Sequence, residues 1–403
     1  MDDLRRTVSA GSAARVGAAA SLASNAATSI AVPSLSAAAV SPDYINPLES
    51  SSRWYLNARA SAVRYAATLG FSIAHHSDSQ APDPSREIWL DSYLSGWRGP
   101  QKIKVEVWVP PRIAMGPRAA VINFHGGGWI LGRGTDDARW AGAVMAALDA
   151  VVFTVNYRLA PSYPFPTPLE DCVDSILQIA ARAADFGIDP DRIMLSGFSA
   201  GATIALSSWI VLQEPFRWKY DLPFPKPNIA GIVVFYPTLD ITLSRPEKRQ
   251  LCSRPELTMS PGLSNLIDAS YVYPPMSRNQ RTDPRLSPGL MSDGLLAKLP
   301  PIHLCLCEHD MLLFEGICFA SRLDHGGKPF SMRIVDGEAH AWDKPLPLSP
   351  KDSVNVEYGE ATSAMANWLG RECETDRDSI VSLNGRRSRL KRPSLFFRTR
   401  SAR

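Results

Sequence analysis

The sequence predicts an α/β protein whose mostly parallel, twisted sheet is covered by helices on both faces. From about residue 102 onwards, short apolar runs of strand length alternate with longer segments of helical period. Most of these runs consist mainly of apolar residues, which is typical of parallel strands buried on both faces. One of them, residues 193–195, enters a turn with glycines at 197 and 201 and continues as an apolar helix. These three observations together predict the fold class.

The strands can be placed in chain order. The first, residues 103–109, alternates apolar with polar side chains as a half-exposed strand does, and Pro110 ends it. The strands that follow are mainly apolar, and we place them at residues 119–124, 151–155, 193–195, 229–236, 301–307 and 332–335. Helices are predicted between them at residues 168–186 and 203–212. The core of the fold is therefore expected to occupy residues 99–236 and 299–372.

Two segments outside this alternation are expected to form a cap over the carboxyl ends of the strands. Residues 51–98 begin with a predicted helix at 53–71, and residues 237–298 are an irregular stretch rich in Pro, Ser and Arg with one predicted helix at 261–271. In the first segment, Trp89, Tyr93 and Trp97 recur at four-residue spacing, which places them on one helical or near-helical face. We expect this aromatic face to pack on the body, where it would also be available to an apolar ligand.

Both ends of the chain have biased compositions. Residues 1–42 hold 13 Ala and 8 Ser, so we expect residues 1–50 to be a disordered leader, with an organelle transit peptide as the alternative. Residues 373–403 are expected to be a disordered basic tail, and residues 386–403 contain eight Arg or Lys and no acid. This cluster, with the apolar residues 395–397, could instead hold the protein to an anionic membrane surface.

The overall composition narrows the class of protein. The 403 residues are 45% hydrophobic and 21% charged, as in soluble globular enzymes, and no apolar run is long enough to predict a transmembrane helix. The net charge of +3 comes from the tail, so the body is mildly acidic and we expect no nucleic-acid partner. The six cysteines lack a disulfide or zinc spacing, and Cys305 and Cys307 lie in a predicted strand. We therefore expect reduced thiols, no metal site and a cytoplasmic location.

Ser199 is the candidate nucleophile. It lies in Gly197-Phe198-Ser199-Ala200-Gly201, between a predicted strand and a predicted helix. Side chains at the two glycines would clash with neighbouring backbone at so sharp a reversal, and the serine hydroxyl would project into open space. The alternative is a glycine-rich turn with a solvent-facing serine, which this motif alone does not exclude.

A second glycine-rich loop favours the catalytic interpretation. Gly126, Gly127 and Gly128 follow a strand and His125, so the backbone can turn its N–H groups towards a ligand. Gly127 and Gly128, together with Ala200 after the serine, are expected to form an oxyanion hole. His125 is expected to brace this loop rather than to transfer protons.

Taken together, these motifs resemble those of the hormone-sensitive-lipase-like branch of the α/β-hydrolases. The resemblance covers roughly residues 100–370 and rests on His125-Gly126-Gly127-Gly128-Trp129, Tyr157-Arg158-Leu159-Ala160-Pro161 with Pro164-Phe165-Pro166 and Glu170-Asp171, Gly197-Phe198-Ser199-Ala200-Gly201, Asp283-Pro284-Arg285-Leu286-Ser287-Pro288, and Asp310-Met311-Leu312. It implies the α/β-hydrolase fold, an esterase with a Ser–Asp–His triad, and a cap built partly from N-terminal residues.

The acid and the base of such a triad can be chosen by position. In this fold the acid follows a late strand and the histidine lies in the loop after the final strand. Asp310 follows the strand at 302–307 and precedes a helix, as in the family's motif, whereas Glu308 and Asp336 are competing acids. Of the seven histidines, only His340 follows the strand at 332–335 in this way. We therefore expect Asp310 and His340 to complete the triad.

Two residues depart from the family's pattern. The family commonly has Asp or another polar residue where Phe198 stands, and Gly where Ala341 stands. Neither change removes a catalytic group, so we expect them to affect substrate choice more than activity. Phe198 and Trp129 are the expected pocket residues, and with Trp89 and Trp97 they suggest an apolar or aromatic ester.

The predicted function is that of a serine carboxylester hydrolase that acts through an acyl-enzyme on apolar or aromatic small-molecule or lipid esters. It requires no cofactor and no metal. An amidase such as a formamidase, or an acyltransferase, would use the same triad. The alternative outside enzymes is a catalytically silent ligand receptor, which the presence of Ser199, Asp310 and His340 argues against. The sequence leaves the oligomeric state open.

Overall fold

The computed structural model describes residues 44–99, 101–223, 226–344 and 351–370. The predictions for residues 1–43 of the leader and for the basic tail at 373–403 lie outside these residues. The leader was expected to extend to residue 50, but Tyr44 and Asn46 already hydrogen-bond to Asn265, at 2.9 Å each. The leader boundary was therefore placed too late, because these two side chains find polar partners on the folded body.

The predicted sheet is present, with one strand more than expected. The strands are β1 (Arg86–Ser92), β2 (Gln101–Trp108), β3 (Arg118–Phe124), β4 (Val151–Asn156), β5 (Ile188–Phe198), β6 (Ile229–Phe235), β7 (Ile302–Cys307) and β8 (Phe330–Val335). They form one eight-stranded sheet in the order β1-β2-β4-β3-β5-β6-β7-β8. β2 pairs antiparallel with both β1 and β4, and every other pair is parallel. The α/β prediction with a mostly parallel sheet is confirmed.

The helices connect the parallel strands and also form the cap. They are α1 (Arg53–Ser77), α2 (Ala138–Leu148), α3 (Thr167–Ala181), α4 (Ala183–Phe186), α5 (Ala200–Gln213), α6 (Arg245–Gln250), α7 (Pro261–Tyr271), α8 (Asp293–Leu296), α9 (Leu313–His325) and α10 (Asp352–Trp368). Within the described ranges, none of them is long and apolar enough to cross a membrane.

The core lies in two layers, one on each face of the sheet. Successive side chains of a strand point to opposite faces, and β3 shows this directly. Ile122 belongs to the apolar cluster that includes Val173 of α3, whereas the preceding Val121 belongs to the cluster with Val144 of α2 and Met365 of α10. All seven residues of β3 are buried, which explains why five of them are apolar.

The segment around Trp89 corrects one expectation. Residues 88–97 were predicted to present a helical aromatic face within the cap, but Arg86–Ser92 form β1 at the edge of the sheet. Leu90 is buried opposite Ile103, while Trp89 and Tyr93 are exposed. A four-residue spacing also keeps side chains on one face of a strand, because the strand period is two. The spacing was therefore ambiguous, and pairing with β2 decides it.

The cap consists of α1 and α7, which contact each other over the carboxyl ends of the parallel strands. Arg64 of α1 donates hydrogen bonds to the carbonyl oxygens of Ile130 and Ala160, which tie the helix to the loop after β3 and to the loop after β4. Ile267 of α7 lies over Gly128, since a Cβ on that glycine would be 2.6 Å from the Ile267 Cδ1 atom. The cap therefore includes part of each of the two predicted cap segments.

Candidate active site

Ser199 occupies a strained turn between β5 and α5. Its backbone angles are φ 51° and ψ −116°, a conformation that a residue with a side chain rarely adopts. The turn tolerates no side chain at Gly201, where a Cβ would lie 1.9 Å from the carbonyl oxygen of Phe124. At Gly197 a Cβ would lie 2.4 Å from the Gly201 carbonyl oxygen. The glycine pair is thus explained by close backbone packing, as the motif predicted.

The three side chains that were predicted as a triad form one hydrogen-bonded chain. Ser199 Oγ lies 2.8 Å from His340 Nε2, and His340 Nδ1 lies 2.6 Å from Asp310 Oδ2. Because a carboxylate only accepts, Nδ1 carries the proton, and Nε2 is left to accept the serine hydroxyl proton. Asp310 is 2% exposed, and its Oδ1 accepts the Leu312 N–H at 3.0 Å. This arrangement orients the imidazole towards the serine.

The two competing acids point elsewhere. Glu308 accepts a hydrogen bond from the backbone N–H of Gly337 at 2.6 Å, and Asp336 is exposed. Glu308 therefore supports the loop that carries His340, while Asp310 contacts the histidine itself. Position relative to the strand and the following helix therefore indicated the carboxylate that contacts His340.

The glycine-rich loop after β3 lies beside Ser199. Gly127 has φ +114°, and a Cβ on it would be 2.2 Å from the Leu131 carbonyl oxygen. Gly127 and Gly128 line the same cavity as Ser199. Ala200 is the first residue of α5, where backbone N–H groups have no partner inside the helix. The structure thus gathers the three residues that were predicted for the oxyanion hole around the serine.

His125 is buried under this loop. Its Nδ1 donates to the Gly126 carbonyl oxygen at 2.7 Å, and its ring stacks on Tyr157 at 4.2 Å. Tyr157 Oη donates in turn to the His125 carbonyl oxygen at 2.7 Å. Burial lowers the pKa of His125 from 6.5 to about 4, so the ring is neutral at ordinary pH. These contacts fit the predicted bracing role.

A cavity of about 220 Å³ adjoins Ser199 and His340. Its apolar lining includes Phe71 of α1, Leu263 and Ile267 of α7, and Phe198 beside the nucleophile. A concave apolar space next to a few polar groups is typical of a small-molecule site. Across the described ranges, no group of three or more His, Cys, Asp or Glu side chains is arranged to hold a metal ion.

The predicted aromatic pocket residues have different roles. Phe198 lines the cavity, and its ring stacks on Phe235 at 4.5 Å. Trp129 is 1% exposed, stacks on Tyr271 of the cap at 4.0 Å and lines a smaller cleft beside the serine. Trp89 and Trp97 line neither space. The suggestion that these two tryptophans contact substrate is therefore wrong, because Trp89 is exposed on β1 and Trp97, beyond the end of β1, donates its indole N–H to the Ser162 carbonyl oxygen.

A buried charged cluster beside the cavity was not predicted. Lys344 Nζ lies 2.7 Å from Asp343 Oδ2, 3.0 Å from Asp137 Oδ1 and 3.7 Å from the ring centre of Phe198. Asp343 also accepts hydrogen bonds from Tyr236 and Tyr358. Burial favours the neutral form of Lys344, but the charges of Asp137 and Asp343 outweigh it and raise the pKa well above its ordinary value.

This cluster reaches His340 through Tyr236. The Tyr236 ring packs edge-on against His340, with 4.8 Å between ring centres, while its hydroxyl donates to Asp343. Lys344 and Asp343 lie in the same loop as His340, shortly after β8. The position of Lys344 after His340 was the only local signal, since Asp137 comes from a distant part of the chain.

The chain is similar in sequence to a known protein family and to known esterases. A family model described as the alpha/beta hydrolase fold matches residues 121–344. The carboxylesterase NlhH of Mycobacterium tuberculosis is 29% identical over 272 residues, which cover 66% of this chain and 80% of that protein. An arylesterase of Saccharolobus solfataricus is 29% identical over 251 residues, which cover 60% of this chain and 75% of that protein.

Solved structures show the same likeness. A bacterial heroin esterase superposes with a TM-score of 0.65 at 26% identity, covering 78% of this chain and 93% of that one. The carboxylesterase EstE1 superposes with a TM-score of 0.62 at 23% identity, covering 77% of this chain and 97% of that one. The second likeness bears on the fold alone.

Proposed function

Because the chain belongs to the α/β-hydrolase fold family, in its hormone-sensitive-lipase-like branch, and is a carboxylic ester hydrolase, we propose that it works through a covalent acyl-enzyme on Ser199. The hydrogen-bonded chain from Ser199 through His340 to Asp310, with distances of 2.8 Å and 2.6 Å, carries this proposal. Nucleophile, base and orienting acid each lie within hydrogen-bond reach of the next, as covalent catalysis by serine requires.

The first half-reaction forms the acyl-enzyme. His340 Nε2 takes the proton from Ser199 Oγ as the oxygen attacks the ester carbonyl carbon, and the carbonyl becomes an oxyanion. Backbone N–H groups of Gly127, Gly128 and Ala200 stabilise that charge, each worth roughly 10²–10³ in rate. His340 then gives its proton to the departing alcohol as the C–O bond breaks.

The second half-reaction releases the acid. A water molecule gives a proton to His340 Nε2 and attacks the acyl carbon, and the tetrahedral intermediate uses the same oxyanion donors. Collapse breaks the bond to Ser199 Oγ, which recovers its proton from the imidazolium. Asp310 keeps its hydrogen bond to His340 Nδ1 and stabilises the imidazolium that forms twice in each turnover.

The substrates proposed are small-molecule esters with an apolar or aromatic acyl group. Phe71, Leu263, Ile267 and Phe198 supply apolar surface close to the nucleophile, and the cavity of about 220 Å³ limits the size of the group. Burial of each methylene group there contributes about 0.8 kcal/mol, so activity should depend on acyl chain length.

We also propose that the enzyme is located in the cytoplasm. The five described cysteines are free, and all of them except Cys318 are buried. Unpaired thiols are the ordinary state in a reducing compartment.

Hydrolysis of p-nitrophenyl esters from acetate to palmitate tests the proposal. We expect turnover by the native chain and a loss of at least about 10³-fold in kcat for Ser199→Ala. A fluorophosphonate probe should label the native serine and leave Ser199→Ala unlabelled. Turnover that survives in Ser199→Ala would overturn the acyl-enzyme proposal.

Substrates of other classes separate the neighbouring activities. Anilide and formamide substrates, and a competing alcohol acceptor, should give lower rates than ester hydrolysis in water. A labelled serine with no ester turnover but with amide cleavage or acyl transfer would contradict ester hydrolysis as the main activity.

A further inference from the structure

The cap helix α1 has a second apolar face, turned away from the body. Leu56 and Ala60 on its inner side are fully buried. Trp54, Ala58, Ala62, Tyr65 and Leu69 follow one another at three- or four-residue spacing, which places them on one side of the helix. Trp54, Tyr65 and Leu69 are 78%, 80% and 58% exposed, and the two alanines are also exposed. We call these five residues the outer stripe.

The outer stripe is large for the surface of a soluble domain. An aromatic residue presents about 150–250 Å², so Trp54 and Tyr65 at their exposures offer roughly 300 Å² before Leu69 and the alanines are added. The largest apolar patch of a typical monomer is about 300–600 Å² and is often functional. Scattered exposed residues need no explanation, but these lie along one helix.

The charge of α1 matches an anionic surface. Its 25 residues include no Asp or Glu, whereas they include three arginines. Arg53 and Arg64 face the body, but Arg59 is exposed at the border of the outer stripe, with its guanidinium 5.7 Å from the Tyr55 ring centre. The exposed charge on this helix is therefore a single positive one. Trp and Tyr are enriched where lipid headgroups meet water, and basic residues there are attracted to anionic lipids.

The same helix borders the active-site cavity. Phe71 of α1 lines the cavity together with Ser199, and Arg64 ties the helix to Ile130, two residues beyond Gly128. Phe71 and the outer stripe lie on opposite sides of α1, so a surface that contacts the stripe would be separated from the cavity by the diameter of one helix, about 10 Å.

We propose that the outer stripe of α1 docks the enzyme on an anionic phospholipid surface. A second copy of the chain suits the stripe less well, because a stable protein interface buries about 800 Å² on each partner. A lipid surface needs only the face of one helix. The proposal goes beyond ester hydrolysis and does not depend on it.

Vesicle co-sedimentation tests the proposal. The full chain carrying Ser199→Ala is mixed with vesicles of equimolar phosphatidylcholine and phosphatidylserine, so that hydrolysis plays no part. We expect binding, and we expect Trp54→Ser, Tyr65→Ser and Leu69→Ser together to raise the lipid concentration for half-binding by at least about tenfold. Phosphatidylcholine vesicles should bind the unsubstituted chain more weakly, because Arg59 then meets no net negative charge.

The matched control replaces three apolar residues of comparable or greater exposure elsewhere. Ile113, Met115 and Phe216 are 92%, 101% and 82% exposed and lie near the amino ends of β3 and β6, away from Ser199. Their replacement by Ser should leave binding unchanged.

In an otherwise native background, the outer-stripe variant should keep its unfolding temperature and its hydrolysis of soluble p-nitrophenyl acetate, since its side chains are exposed.

Several outcomes would overturn the proposal. Two of them are absence of binding and equal binding by the outer-stripe variant. The third is a loss of binding only when residues 386–403 are removed, which would show that the basic tail binds the vesicles. If gel filtration shows a dimer, and the outer-stripe substitutions dissociate it, then the outer stripe binds a second copy of the chain instead.

Discussion

At the scale of single residues, the site depends on which carboxylate faces His340. Asp310 lies 2.6 Å from the imidazole, while Glu308 is bound to the Gly337 N–H. Asp310→Asn keeps the size of the side chain but supplies no charge to stabilise the imidazolium and favours the wrong tautomer. We expect kcat to fall by about 10⁴-fold. Steady-state hydrolysis of a p-nitrophenyl ester measures the change.

Glu308→Gln is the matched control for that substitution. The amide oxygen can still accept the Gly337 N–H, so kcat should change less than about threefold. Equal losses in the two variants would show that both carboxylates act only by holding the loop.

The residues of the site could be read from local motifs because each motif has a local physical cause. Gly197 and Gly201 are required by backbone contacts around Ser199, and those contacts recur wherever a strand reverses into a helix in this way. Lys344 could not be found in this manner. Its role depends on Asp137, which only the folded chain brings to within 3.0 Å.

At the scale of elements, the loop after β8 is held in place by the buried cluster around Lys344. Lys344→Met keeps the apolar stem and removes the ammonium group, which leaves Asp137 and Asp343 without a counter-charge. Two buried carboxylates without a counter-charge destabilise the packing of this loop, which holds His340 against Tyr236. We expect kcat to fall by about tenfold with little change in KM, and the midpoint of urea unfolding to fall as well.

Two further variants test the role of this charge. Lys344→Arg keeps the charge, so it should lose less of kcat and of stability than Lys344→Met. Lys351→Met removes an exposed ammonium that pairs with Glu338, and it should leave both quantities unchanged. An equal fall in kcat for the Met and Arg variants of Lys344 would contradict the role of the charge.

The elements that the sequence did not predict share a cause, which is that tertiary contacts override local preference. Gly142 in the middle of α2 lowers helix propensity, yet a Cβ there would lie 2.9 Å from the Gln80 carbonyl oxygen. The helix forms because its other residues, such as Val144, pack on the sheet. β1 was likewise decided by its pairing with β2 rather than by its own pattern.

At the scale of the whole molecule, buried histidines make stability depend on pH. His303 in β7 is 2% exposed, and burial together with the charge of Arg333 lowers its pKa from 6.5 to about 4. The unfolded chain therefore binds a proton between these pH values that the folded chain does not. The contribution of His303 to stability is complete above pH 6.5 and is lost as the pH falls towards 4.

His303→Asn removes this group while it retains a partner for the Ser331 hydroxyl, which lies 2.8 Å from His303 Nδ1. The difference in unfolding free energy between native and variant chains should shift by about 2 kcal/mol in favour of the variant between pH 7 and pH 5. Urea unfolding at the two pH values measures it. If the difference in unfolding free energy does not change with pH, burial does not keep His303 neutral.

The order of the strands also has a kinetic consequence. Ser199 follows β5, whereas His340, its proposed base, follows β8, and the two residues are separated by 141 positions. Ser199 therefore meets His340 only after β8 has left the ribosome and paired with β7. A nascent or truncated chain that lacks β8 would hold Ser199 without His340. Esterase turnover would therefore report completed folding.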